Sequence, residues 1–158
     1  MNINIICVGK VKEDYFKEAL TEYEKRLSRF CKINVFVLPD KKIPDNSTEG
    51  QCQAVLKAEG EQILSKIGKS DKVIALCVEG KQVSSEKLAD MLQNLMLETS
   101  TVDFVIGGSL GLWDEVKKRA DIKLSLSNMT LPHRIARLVL EEQIYRAFKI
   151  NANETYHK

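Results

Sequence analysis

The sequence predicts an α/β fold, a parallel sheet flanked by helices on both faces. Three observations predict it: short apolar, β-branched runs recur along the chain, stretches of helical period separate most of them, and 158 residues suffice for one domain spanning 1–158. In order, the first strand is Ile3–Val8, followed by a helix over Asp14–Arg29 whose apolar residues return every three or four positions. A second strand, Ile33–Leu38, runs into Pro39–Gly50, which holds two prolines and several polar residues and reads as a surface loop. A helix over Gln51–Ile67 leads to the strand Val73–Val78. The third helix, Ser85–Glu98, has a cap in Ser84 or Ser85, and the strand Val102–Ile106 follows it. A short helix, Asp114–Ala120, and the strand Ile122–Leu126 precede a closing helix over Pro132–Ile150, where Pro132 suits a first helical turn.

Composition narrows the function classes. The 24 basic and 22 acidic residues leave a net charge of +2, so bulk charge does not mark the chain as a nucleic-acid binder, and any such partner needs a local patch or a second subunit. Cys7, Cys31, Cys52 and Cys77 are far apart and only two histidines are present, so no metal-ligand spacing exists and no metal is expected; the thiols read as buried and reduced. No window approaches the roughly 18 apolar residues of a membrane span, and the N-terminus has no signal-peptide pattern. No membrane partner and a cytoplasmic location are the expectations.

Chemistry concentrates in the last third. Phe104-Val-Ile-Gly-Gly-Ser-Leu-Gly111 places glycines after an apolar strand, where the backbone can approach a ligand or simply turn, and the residues leave both readings open. Leu124-Ser-Leu-Ser-Asn-Met-Thr-Leu-Pro-His133 offers hydroxyl and backbone groups before a helix start. With Glu79-Gly-Lys81, these loops lie beyond strand carboxyl ends, where open α/β sheets bind ligands. Gly68-Lys-Ser70 is no phosphate loop, because Gly60 is too distant and the segment ends a helix. His133, Arg137 and Glu141 fall at i, i+4 and i+8, either an internal ion pair or a polar strip along a cleft, with the ion pair favoured. Glu142 and Arg146 make a further i, i+4 pair. The closing helix is apolar over most of its circumference, wider than one core-facing stripe, which suggests a symmetric dimer.

Together with Val8-Gly-Lys10, Glu22-Tyr-Glu-Lys-Arg26, Glu59-Gly-Glu61, Leu76 through Lys81, Tyr145-Arg-Ala147 and the closing Tyr156-His-Lys158, these segments resemble one family from end to end. It is the SPOUT-class methyltransferases that modify a pseudouridine of large-subunit (23S) ribosomal RNA at N3. The resemblance implies a homodimer with a C-terminal trefoil knot, S-adenosyl-L-methionine as methyl donor, and assembled ribosomes as substrate. Periodicity alone points to an unknotted sheet. Carried onto this chain, the family's cofactor contacts are Leu76, Gly107, Gly108, Leu126, Ser127, Asn128, Met129, Thr130 and Leu131. By the same analogy the catalytic candidates are His133, Arg146, Tyr156 and His157, with one subunit's tail and arginines completing the other's site. A non-catalytic ribosome-binding factor on the same fold is the alternative.

Overall fold

The computed structural model describes residues 1–156, so His157, one of the expected catalytic candidates, lies outside the described residues. The strands are β1 (Asn2–Val8), β2 (Lys32–Leu38), β3 (Lys72–Lys81), β4 (Thr101–Ile106) and β5 (Ile122–Leu124). The helices are α1 (Asp14–Leu27), α2 (Glu49–Leu64), α3 (Ser85–Glu98), α4 (Asp114–Arg119) and α5 (His133–Asn151). All strand pairs are parallel, in the order β2-β1-β4-β3-β5. Because β4 fills the place between β1 and β3, the carboxyl ends of β4, β3 and β5 lie side by side, and their loops gather there.

The pleat decides which residues each helix layer covers. Ile3, Ile5, Cys7, Phe104 and Ile106 face one side and pack with Leu27 of α1, Leu88 and Leu92 of α3, and Leu140 and Ile144 of α5. Ile6, Val8 and Val105 face the other, under Ile63 of α2 and Val116 of α4. Each fully buried aliphatic side chain contributes about 1.5–3 kcal/mol of burial, so two continuous apolar layers hold the sheet between them. A polar row interrupts the second layer: Asn34 Nδ2 donates to Asn4 Oδ1 at 2.9 Å, and Asn4 Nδ2 donates to Asp103 Oδ1 at 2.7 Å. Asp103 is fully buried, and that burial pushes its carboxyl up to about 6.

Several boundaries differ from the sequence expectation for identifiable reasons. Helix α2 begins at Glu49, inside the expected loop, because Thr48 and Gln51 form a reciprocal capping box; it ends at Leu64 and not at Ile67. Helix α1 ends at Leu27, two residues before Arg29, where Phe30 N–H bonds back to the Leu27 carbonyl. Strand β3 continues past Val78 to Lys81 through a bulge, so Glu79-Gly-Lys81, expected as a loop, is strand, while β5 stops at Leu124. Ser84 is the cap of α3, accepting from Lys87 N–H. All four thiols are free, but only Cys7 and Cys31 are buried, and Cys52 and Cys77 are partly exposed, so the expectation of four buried thiols is corrected. No helix among the described residues is long and apolar enough to cross a membrane.

Candidate active site

A cleft of about 760 Å³ opens at the carboxyl ends of β3, β4 and β5. Its walls are the end of β3, the Gly107–Leu112 turn, Ser125–Ser127 with Met129–Leu131, and the start of α5 at Pro132 and His133. Backbone geometry forces glycine into the turn. Gly111 has φ +83° and donates its N–H to the Gly108 carbonyl at 3.0 Å, and a Cβ on Gly107 would sit 2.3 Å from the Gly111 carbonyl oxygen. The segment is therefore a tight turn and also a wall of the cleft. The opposite wall is pinned by its own hydroxyls: Ser125 Oγ donates to the Ser127 carbonyl at 2.9 Å, and Ser127 Oγ accepts from Met129 N–H at 3.0 Å. Below the cleft, β3 and β5 run so closely together at the bulge that a Cβ on Gly80 would lie 2.6 Å from the Leu124 carbonyl carbon.

Most of the expected cofactor residues converge here. Leu76, Gly107, Gly108, Leu126, Ser127, Met129, Thr130 and Leu131 all line the cleft. Asn128 does not: its Oδ1 accepts from Gln82 Nε2 at 2.8 Å, tying this wall to the loop after β3. Sequence reasoning missed Lys117, whose Nζ lies 2.5 Å from Glu79 Oε1 inside the cleft; that hydrogen bond holds the Glu79 carboxyl low and the Lys117 ammonium high. A second omission is Glu59 on α2, buried behind the turn, with Oε1 accepting from Lys41 N–H at 3.0 Å and Oε2 3.0 Å from where a Gly108 Cβ would stand. Burial raises its carboxyl.

The catalytic candidates divide into two groups. His133 lines the cleft, and its Nε2 is buried without a hydrogen-bond partner, packed against Gly9 where a Cβ would come within 3.0 Å. Arg146 and Tyr156 are elsewhere: Arg146 Nη2 bonds Glu142 Oε1 at 2.6 Å, its guanidinium stacks 4.8 Å over the Tyr156 ring, and Tyr156 O–H donates to the same carboxylate oxygen at 3.2 Å. From His133 to Arg146 is about 20 Å along α5 at 1.5 Å per residue. One subunit therefore does not bring these candidates together. Between the two groups, Arg137 bonds Glu141 at 2.8 Å and Glu24 at 2.6 Å, the internal ion pair favoured by the residue types; His133 takes no part in it.

A family model described as "Predicted SPOUT methyltransferase" matches residues 1–157. The chain belongs to the SPOUT methyltransferase family. Full-length relatives are named "Ribosomal RNA large subunit methyltransferase H". The one from Clostridium novyi (strain NT) is 54% identical over 159 residues, covering 100% of both chains. Those from Streptococcus agalactiae serotype III (strain NEM316) and Oenococcus oeni (strain ATCC BAA-331 / PSU-1) are 52% and 50% identical. Among solved structures, a probable methylase family protein from Haemophilus influenzae Rd KW20 aligns with a TM-score of 0.55 over 99% of this chain and 70% of that one. At 14% identity that likeness speaks to the fold, a parallel sheet flanked by helices as this SPOUT chain forms.

Proposed function

We propose that this SPOUT chain is an S-adenosyl-L-methionine-dependent enzyme that methylates N3 of a pseudouridine in 23S ribosomal RNA, working in the cytoplasm on the assembled ribosome. The observation that carries the proposal is the cleft at the ends of β3, β4 and β5, in a chain whose full-length relatives are named as large-subunit RNA methyltransferases. The cleft fits the cofactor. Its volume lies within the roughly 300–1,000 Å³ of small-molecule sites, and its walls are apolar side chains and backbone suited to a nucleoside. Leu76, Gly107, Gly108, Leu126, Ser127, Met129, Thr130 and Leu131 would hold it, with Asn128 bracing the wall through Gln82. Bound there, the cofactor supplies an electrophilic methyl group.

What remains for the protein is alignment, exclusion of water, and management of the N3 proton. For the proton, His133 is the candidate that lines the cleft, although its Nε2 is packed against Gly9 without a hydrogen-bond partner. Arg146 and Tyr156 suit stabilisation of the anionic base, with His157 beside them in sequence, but their distance from the cleft along α5 calls for a second subunit. The exposed apolar ridge of Ile135 and Val139 on α5 supports a homodimer that supplies one. The family's C-terminal trefoil knot is part of the same proposal.

The test is to incubate the protein with labelled S-adenosylmethionine and ribosomes lacking the modification, then map the labelled nucleotide by mass spectrometry. Methyl on N3 of a 23S pseudouridine is the expected result. Label elsewhere overturns the target, and ribosome binding without cofactor binding returns the chain to a binding factor. With a methylated product in hand, Arg146→Ala should lower kcat about 100-fold while leaving S-adenosylhomocysteine affinity intact.

A further inference from the structure

The loops that leave β1 and β2 stand on the same sheet edge as the cleft but contribute nothing to its walls except through two contacts. Gly9 N–H bonds the Leu38 carbonyl at 2.9 Å, so the two loops start side by side. Gly9 then packs on His133 at one end of the cleft, while Lys41 N–H is held by Glu59, whose other oxygen backs Gly108. Both loops are thus registered to the cleft through backbone and buried groups, leaving their side chains outside. Those side chains include Lys10, Lys12, Lys41 and Lys42, all exposed and none in an ion pair among the described residues. Their anionic neighbours are fewer: Glu13 is paired with Arg134 at 2.9 Å, leaving Asp40, Asp45 and the Glu59 carboxyl behind Lys41.

From this arrangement we infer that the β1–α1 and β2–α2 loops form an RNA-docking face, on which Lys10, Lys12, Lys41 and Lys42 hold the phosphates of the strand whose target base enters the cleft. The inference rests on the RNA substrate proposed above. A nearly neutral chain cannot gather RNA by bulk charge, so unpaired cations must be placed where the strand passes. Flexible lysines outside a rigid frame do this without reading sequence. A buried carboxylate that fixes the Lys41 backbone also explains why a loop this polar is held against the cleft.

The test compares the wild type with K10A/K12A, K41A/K42A and the fourfold variant on unmodified ribosomes, measuring sedimentation binding, methylation and S-adenosylhomocysteine affinity over a salt series. With about 0.7 counterions released per phosphate neutralised on a single strand, the fourfold variant should lose about 3 from the slope of log affinity against log salt. Its ribosome affinity should fall at least about tenfold at low salt, with each pair giving part of the effect and cofactor affinity within about twofold of wild type. Unchanged affinity and slope in the fourfold variant overturn the docking face while leaving the methyltransferase reading in place. Loss of cofactor affinity in parallel also overturns it, because the substitutions would then act through the fold. A wild type that neither binds nor methylates ribosomes overturns the substrate reading and the face with it.

Discussion

At the scale of single residues, steric demands and buried charge make the sharpest predictions. Gly107→Ala drives a Cβ into the Gly111 carbonyl, a backbone group that cannot step aside, so the turn must open. The expected result is at least about a tenfold loss of S-adenosylhomocysteine affinity by calorimetry, with a folded far-UV spectrum; unchanged affinity would separate the turn from the cofactor. Asp103 yields a pH prediction. Its folded carboxyl stands at about 6, above an ordinary 3.8, chiefly through burial, opposed by the Asn4 hydrogen bond and reinforced by Asp71, with Arg119 also facing it. A group raised on folding contributes its stability fully below the unfolded value and loses it as pH rises through the folded one. Asp103→Asn should therefore remove a loss of stability between about pH 4 and 6, read as the wild-type urea midpoint falling relative to the variant's across that window. Glu141, held up to about 7 by burial, extends the same trend in both proteins and cancels in the comparison.

Among elements, α5 organises the molecule. Its Arg137 reaches forward to Glu141 one turn on and across to Glu24 on α1, fastening two helices of the same layer. Removing the guanidinium leaves Glu141 buried and alone, so Arg137→Ala should cost about 3–5 kcal/mol at pH 8 by denaturant titration and less at pH 5–6, where Glu141 takes up a proton. A cost that does not change with pH would assign the loss to packing alone. The i, i+4, i+8 spacing makes this ion pair legible in the order of residues alone. By contrast the start of α2 is not, since Thr48 and Gln51 sit in a stretch whose prolines and polar residues also describe a loop, and only their reciprocal bonds separate cap from coil. The continuation of β3 to Lys81 is hidden for a related reason: its last residues pair through a bulge that period-two alternation does not register.

For the whole molecule, the separation of His133 from Arg146 and Tyr156 makes assembly the central question. If a symmetric dimer completes the site across the Ile135 and Val139 ridge, the melting temperature rises with protein concentration and light scattering reports twice the chain mass. V139E should give a folded monomer that keeps the cleft and loses methyl transfer. A monomer that remains fully active would place the whole site in one chain.

Residue order is enough to determine the alternation of strands and helices, the loops after β4 and β5 that wall the cleft and the family, because apolar period, glycine placement and hydroxyl-rich turns are local properties and the family pattern runs the full length of the chain. Which strands are neighbours is settled by tertiary packing. The same packing turns Asn128 away from the cleft, puts Lys117 and Glu79 into it, and sets Glu59 behind Gly108. Those outcomes depend on crossings between segments distant in the chain, and no spacing along the chain encodes which backbones meet when β4 inserts between β1 and β3.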